Sequence, residues 1–201
     1  MQVIGLTGKA CAGKNLYAKQ FELLGCVVVD VDTLGHHALS QRIPQLVASF
    51  GDSILVGNEI DRKVLGSLVF SDPVQLRKLE AITHPVMVER CRELIEAAKR
   101  EQKPALVLNA ALLYRMKLHV LCDRVVFVQA PFLVRFMRAK KREHSTFKRF
   151  VAREKAQKDI SKKIFPSSLE VSVMHNGTAQ VRIHRQVTTY CATIGIGVSS
   201  V

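Results

Sequence analysis

The chain of 201 residues is 48% apolar, lacks Trp and carries a formal net charge of +13. That length suits one domain with a small appended lid, and the apolar content supplies a sizeable core of Leu, Val, Ile and Ala. No run nears the ~20 apolar residues of a membrane span, and the opening MQVIGLTGK reads as strand rather than as a secretion signal. The five scattered Cys form no C-x-x-C pair and no zinc-ligand spacing. They point to reduced thiols in a cytoplasmic setting.

In chain order, residues 3–6 form a short apolar run, a buried strand. Gly8, Lys9, Ala10, Cys11, Ala12, Gly13, Lys14, Asn15 and Leu16 follow and lead into a helix predicted over 14–25, with Gly25 as its stop. Gly-x4-Gly-Lys between a strand and a helix is a phosphate-binding pattern: loop N–H groups and the positive end of the helix cradle an anion. Lys14 would reach the β- and γ-phosphates as a point charge. Position 15 ordinarily holds Ser or Thr, whose hydroxyl touches Mg²⁺; here it is Asn15. Cys11 lies near a helix N-terminus, where a thiol pKa can fall, and a packing role is the plainer expectation.

A second buried strand over 26–30 ends at Asp30, with Asp32 two residues on. Ligands of open α/β sheets bind outside the carboxyl ends of the strands, so both carboxylates are expected to face the loop. On an extended chain they would point the same way. One would accept a proton from an attacking hydroxyl and the other would bind Mg²⁺ through water. Asp32 also reads as an N-cap.

Helices are predicted over 33–40, 44–50, 61–70, 73–82 and 85–101, with Pro44, Pro73 and Pro85 near helix starts. Strands follow over 105–109 and 124–130, then helix over 131–142, a mostly helical basic stretch over 146–163, a strand over 170–176 and a helix over 178–190. The tail 191–201 has no clear partner and is expected to be loose. Apolar strands alternating with helices give an α/β class with a parallel sheet covered on both faces. Residues 135–163 hold twelve Lys or Arg against Glu143, Glu154 and Asp159, a net +9, and such a block meets something anionic.

Taken in order, GLTG…GK, VVDVDTLGHHAL, FGDSIL…NEIDRKVLGSLVFSDPVQLRKLEAITHPVM, LLY, RAKKRE, FVAREKAQ and MHNGT resemble the dephospho-CoA kinase family over residues 3 to about 190. The resemblance implies a three-layer P-loop kinase fold in one domain, 1–190, with a helical substrate region over about 33–101 and a basic lid over about 138–163. It implies ATP and Mg²⁺ as cofactors and dephospho-CoA as the substrate, phosphorylated on the ribose 3′-hydroxyl in the last step of coenzyme A synthesis. By position, Gly8 to Leu16 would hold the ATP phosphates and Asp32 would be the base. Asp30, His84 and Arg153 would serve the acceptor side, with His84-Pro85 opening a helix beside it. Arg138 and Arg142 would close on the phosphates, and Asn176, Gly177 and Thr178 would lie near the adenine. Asn15 and Asp32 would hold the metal.

The departures gather at the metal and the loop. Cys11 replaces a common glycine, and Asn109, Ala111 and Arg115 replace the acid, Pro and Glu of the family's Asp-x-Pro-Leu-Leu-x-Glu. A non-catalytic nucleotide- or CoA-binding regulator, or a kinase of another small hydroxyl acceptor, therefore stays open beside the active enzyme. Nucleic-acid binding ranks below these, because no aromatic ladder is interleaved with the charges. The sequence does not fix an oligomeric state.

Overall fold

A computed structural model of the protein describes residues 1–177 and 180–197, with backbone alone at 180 and 181. Along the chain run β1 (Gln2–Thr7), α1 (Lys14–Leu23), β2 (Val27–Asp30), α2 (Val31–Gln41), α3 (Ile43–Phe50), β3 (Leu55–Val56), β4 (Glu59–Ile60), α4 (Arg62–Ser71), α5 (Pro73–Arg100), β5 (Ala105–Asn109), β6 (Arg124–Gln129), α6 (Phe132–Glu143), α7 (Phe147–Ala156), β7 (Glu170–His175) and α8 (Gln180–Thr193). Two units emerge: Met1–Asp30 with Leu94 onward, and Val31–Glu93.

The first unit carries a five-stranded, wholly parallel sheet in the order β2-β5-β1-β6-β7. Every residue of β5 is buried, as a central parallel strand of continuous apolar sequence requires. Register aligns Asn109 with both Leu6 of β1 and Asp30 of β2, so the carboxyl ends of three strands come level beside the loop that follows β1. Tyr17, Ala18 and Phe21, at helical spacing, bury one face of α1 in the core shared with α8. Phe21 meets Tyr190 edge-on with ring centroids 6.2 Å apart, and the Tyr17 hydroxyl donates to Gln186 Oε1 at 3.1 Å. Burying a side chain the size of Phe21 contributes about 2–3 kcal/mol.

The second unit is built on Leu46, Ile54, Leu65 and Val69, with Leu76, Leu79 and Ile82 packed against them. Asp61 caps α4 by accepting from the Lys63 and Val64 N–H groups at 2.8 and 3.1 Å. Strands β3 and β4 form an antiparallel hairpin around Gly57-Asn58 that the sequence reading passed over. Two-residue strands are too short for a period of two to show, although Gly-Asn is a recognised two-residue turn.

Three expectations change. Residues 73–82 and 85–101 join into the single helix α5, so Pro85 stands inside a helix rather than at its start. An interior Pro costs about 3 kcal/mol, yet the apolar stripe of Leu79, Ile82 and Val86 runs through it, and packing outweighs the lost N–H. The chain passes from β2 into α2 without a loop, so Asp32 lies in the first helical turn and the argument from an extended Asp30–Asp32 segment fails. The start of the tail is packed: α8 continues to Thr193, Cys191 and Ile196 are buried in the sheet core, and of the tail 198–201 alone fall outside the described residues. All five cysteines are free thiols. Among the described residues no helix is long and apolar enough to cross a membrane.

Candidate active site

The loop between β1 and α1 turns on two glycines. Gly13 adopts φ 96°, and a Cβ there would lie 2.1 Å from Asn176 Nδ2; at Gly8 it would lie 2.3 Å from the Val128 carbonyl oxygen. No side chain caps α1 and no acid sits in its first turn, which leaves its N-terminal dipole facing the loop. Cys11, at φ 59°, occupies the left-handed region, which accounts for a glycine being common there. Burial and the Glu143 carboxylate beside it push the Cys11 thiol up, the reverse of the fall its helix-end position would give. Its Sγ lies 3.7 Å from Glu143 Oε1.

Lys14 and the two amides form one chain of donors and acceptors. Lys14 Nζ donates to Asn109 Oδ1 at 3.0 Å, and Asn109 Nδ2 donates to Asn15 Oδ1 at 3.1 Å. An ammonium only donates, so it fixes the orientation of the Asn109 amide, and that in turn fixes Asn15. Asn109 is buried and Asn15 is exposed.

The basic stretch lies over the loop as α6 and α7. Arg138 donates to the Cys11 and Ala12 carbonyls at 3.4 and 3.3 Å, to Asn176 Oδ1 at 3.1 Å and to the Gly177 carbonyl at 3.2 Å. Asn176 is buried and donates to the Ala12 carbonyl at 2.8 Å, so the Arg138–Asn176 pair buttresses the loop from behind. Gln157 Oε1 accepts from the Ala10 N–H at 2.9 Å. Glu154 bridges Lys9 and the buried Arg135, the latter at 2.6 Å. Burial pushes the Glu154 carboxyl up, but hydrogen bonds from Arg135 and Lys9 outweigh it and hold it below the usual range. Arg153 pairs with Glu143 at 2.7 Å, and that hydrogen bond lowers the Glu143 carboxyl. Beside these groups a cavity of about 480 Å³ is walled by Lys9, Arg135, Lys158, Lys162 and Lys163, a setting for several phosphate charges.

The structure thus brings Gly8–Leu16, Arg138, Arg153 and Asn176 together in one unit, with Asp30 at the adjoining strand end. Arg138 hydrogen-bonds loop carbonyls, and Arg142 is exposed on the last turn of α6. Asp32 and His84 belong to the second unit, in the first turn of α2 and inside α5. Thr178 lies outside the described residues. Arg115 reaches Asp159 at 2.8 Å. Sequence reasoning missed Glu154 and Arg135. Their signal was an acid set directly between the cations Arg153 and Lys155: a carboxylate kept inside such a block has a partner to hold.

A family model described as CoaE, dephospho-CoA kinase, matches residues 2–180. The chain belongs to the dephospho-CoA kinase family. A dephospho-CoA kinase of Borreliella burgdorferi is 35% identical over 130 residues, 64% of this chain and 62% of that protein, so the match spans under two thirds of that relative's length. One of Bacillus licheniformis is 33% identical over 169 residues, covering 80% of this chain and 82% of the relative. Among solved structures, TT1252 from Thermus thermophilus superposes with a TM-score of 0.77 at 29% identity, over 96% of this chain and 97% of that one. The dephospho-CoA kinase from Campylobacter jejuni gives 0.70 at 20% identity, over 96% of both, and speaks for the fold alone. The family's fold, a parallel sheet with the phosphate loop after its first strand, is the α/β arrangement read from the alternating runs.

Proposed function

We propose that this protein transfers the γ-phosphoryl group of ATP to the ribose 3′-hydroxyl of dephospho-CoA, giving CoA and ADP. The observation that carries the proposal is the family match over residues 2–180, which takes in the phosphate loop, Asp32, the His84-Pro85 pair and the basic lid together. The loop geometry supports it. The loop backbone and the open N-terminus of α1 would hold the phosphates, and Lys14, oriented by Asn109, would meet the transferring group. Arg138 and Arg142, assigned on sequence, and the lysines around the loop would spread positive charge over that group. Asp32, assigned on sequence, would take the proton as the 3′-oxygen bonds to phosphorus and the bond to the ADP oxygen breaks. Asp30, His84 and Arg153 are assigned to the acceptor side in the same way, the basic stretch over 138–163 to the lid, and the cytoplasm to the site of action.

The donor set fits Mg²⁺. Asn15 Oδ1 is a hard oxygen at the start of α1; it accepts one hydrogen bond, and a carbonyl oxygen has two lone pairs. Among the described residues no cluster of three His, Cys, Asp or Glu could hold a metal, so the nucleotide itself would supply most ligands. Asn15 would hold the ion, with Asp32 as the further ligand assigned on sequence; the ion would neutralise phosphate charge.

The test is to incubate pure protein with ATP and Mg²⁺ and a panel of hydroxyl acceptors including dephospho-CoA. Preferred formation of CoA supports the proposal. Turnover of another acceptor instead, or tight nucleotide binding with no product, refutes it.

A further inference from the structure

The mechanism above gives Asn109 no contact with substrate, yet it joins the two loop residues nearest the phosphates. It is buried at the end of the interior strand β5, with its backbone held in register by β1 and β2. Its side chain is used at both ends: the oxygen takes Lys14 Nζ at 3.0 Å and the N–H is given to Asn15 Oδ1 at 3.1 Å. An uncharged amide makes both contacts, which a carboxylate does not. A carboxylate there has no N–H for Asn15, and it places a full negative charge 3.0 Å from the ammonium that is to receive phosphate.

We propose that Asn109 is a positioning residue, an uncharged bridge that sets Lys14 and the Asn15 amide so that the loop needs less help from a divalent cation to take nucleotide phosphates than it would with a carboxylate at either position. Two amides in contact are then one device. With a carboxylate at either position, the site opposes the nucleotide's negative charge until a cation is bound between them. The carboxylate of Asp30 closes the neighbouring strand end in every version of the site, so its effect cancels in a comparison of variants. The inference rests on the nucleotide-site reading of this loop, and it needs no particular acceptor.

The experiment is calorimetric titration of ADP into the full chain, once in EDTA and once in excess Mg²⁺. The ratio of the two dissociation constants in the wild type is the reference for each variant. Asn109→Asp should weaken binding in EDTA by about tenfold or more, with Mg²⁺ restoring most of the loss. Asn15→Asp keeps an acceptor for Asn109 at an exposed position, and it should behave the same way if Asn109→Asp fails to fold. Asn109→Ala removes the bridge without adding charge and should weaken both arms alike. The proposal is overturned if the carboxylate variants bind ADP in EDTA as the wild type does, or if their loss in EDTA is not restored by Mg²⁺. A wild type that binds ADP in this pattern but makes no CoA refutes the assigned activity and leaves the bridge standing.

Discussion

Replacing Glu154 by Ala should loosen the segment that lies over the phosphate loop. The carboxylate bridges Lys9 of the loop and Arg135 of α6, and the Arg135 side chain is only 8% exposed. Removing one partner of a buried pair costs about 3–5 kcal/mol, because the other charge is left without compensation. Arg135 keeps a hydrogen bond to the Ala130 carbonyl at 3.2 Å and lies 5.7 Å from the centre of the Phe150 ring, and Glu154 is itself one-fifth exposed. These place the loss at the low end, about 3 kcal/mol. With a urea slope of about 2 kcal/mol/M, the midpoint followed by far-UV circular dichroism should fall by about 1.5 M. Glu154→Gln retains an oxygen for Arg135 and should lose roughly half as much. A midpoint for Glu154→Ala within about 0.3 M of wild type would refute the reasoning, since it would mean that the bridge is solvated and net neutral.

Other outcomes follow from the same geometry. Gly13→Ala forces a left-handed residue and drives a methyl into Asn176 Nδ2, so ATP affinity should drop by about tenfold or more in titration calorimetry while the sheet persists. Glu154 has a folded pKa below its ordinary 4.5, so its contribution to stability is present above that value and lost as pH falls through the lower folded value; the gap in urea midpoint between wild type and Glu154→Gln should close in that acid range. Lys14→Ala and Asp32→Asn should each reduce turnover by about 100-fold or more while the fold survives, as read by far-UV circular dichroism, and a near-normal rate for Asp32→Asn would remove it as the base.

Much of the sheet was legible because its strands are unbroken apolar runs, and residues 105–109 were bounded to the residue by Lys103-Pro104 before and the turn after. The phosphate loop was legible because its glycines and lysine serve backbone geometry and charge, which a pattern preserves. Other features were set by packing the sequence displays only indirectly. Pro85 is a local break signal that the apolar stripe of α5 overrides. The direct passage from β2 to α2 cannot be read from Asp30-Val31-Asp32, since either an extended or a helical start fits those residues. Asn15 and Asn109 each read as a departure when met alone; 94 residues apart in sequence, they become one hydrogen-bonded pair only when β5 is laid beside β1. Arg138 was assigned to the phosphates by its place in the family pattern, and the contacts of its guanidinium with the loop carbonyls emerge only in the folded chain.

The most direct test of the assigned activity is a single turnover with enzyme in excess over dephospho-CoA, in ATP and Mg²⁺, with the product resolved by mass spectrometry and phosphorus NMR. The account predicts one phosphate gained per acceptor, on the ribose 3′-oxygen, with one ADP formed for each CoA. Recovery of unchanged dephospho-CoA after hours, from folded protein that binds ATP, would contradict it.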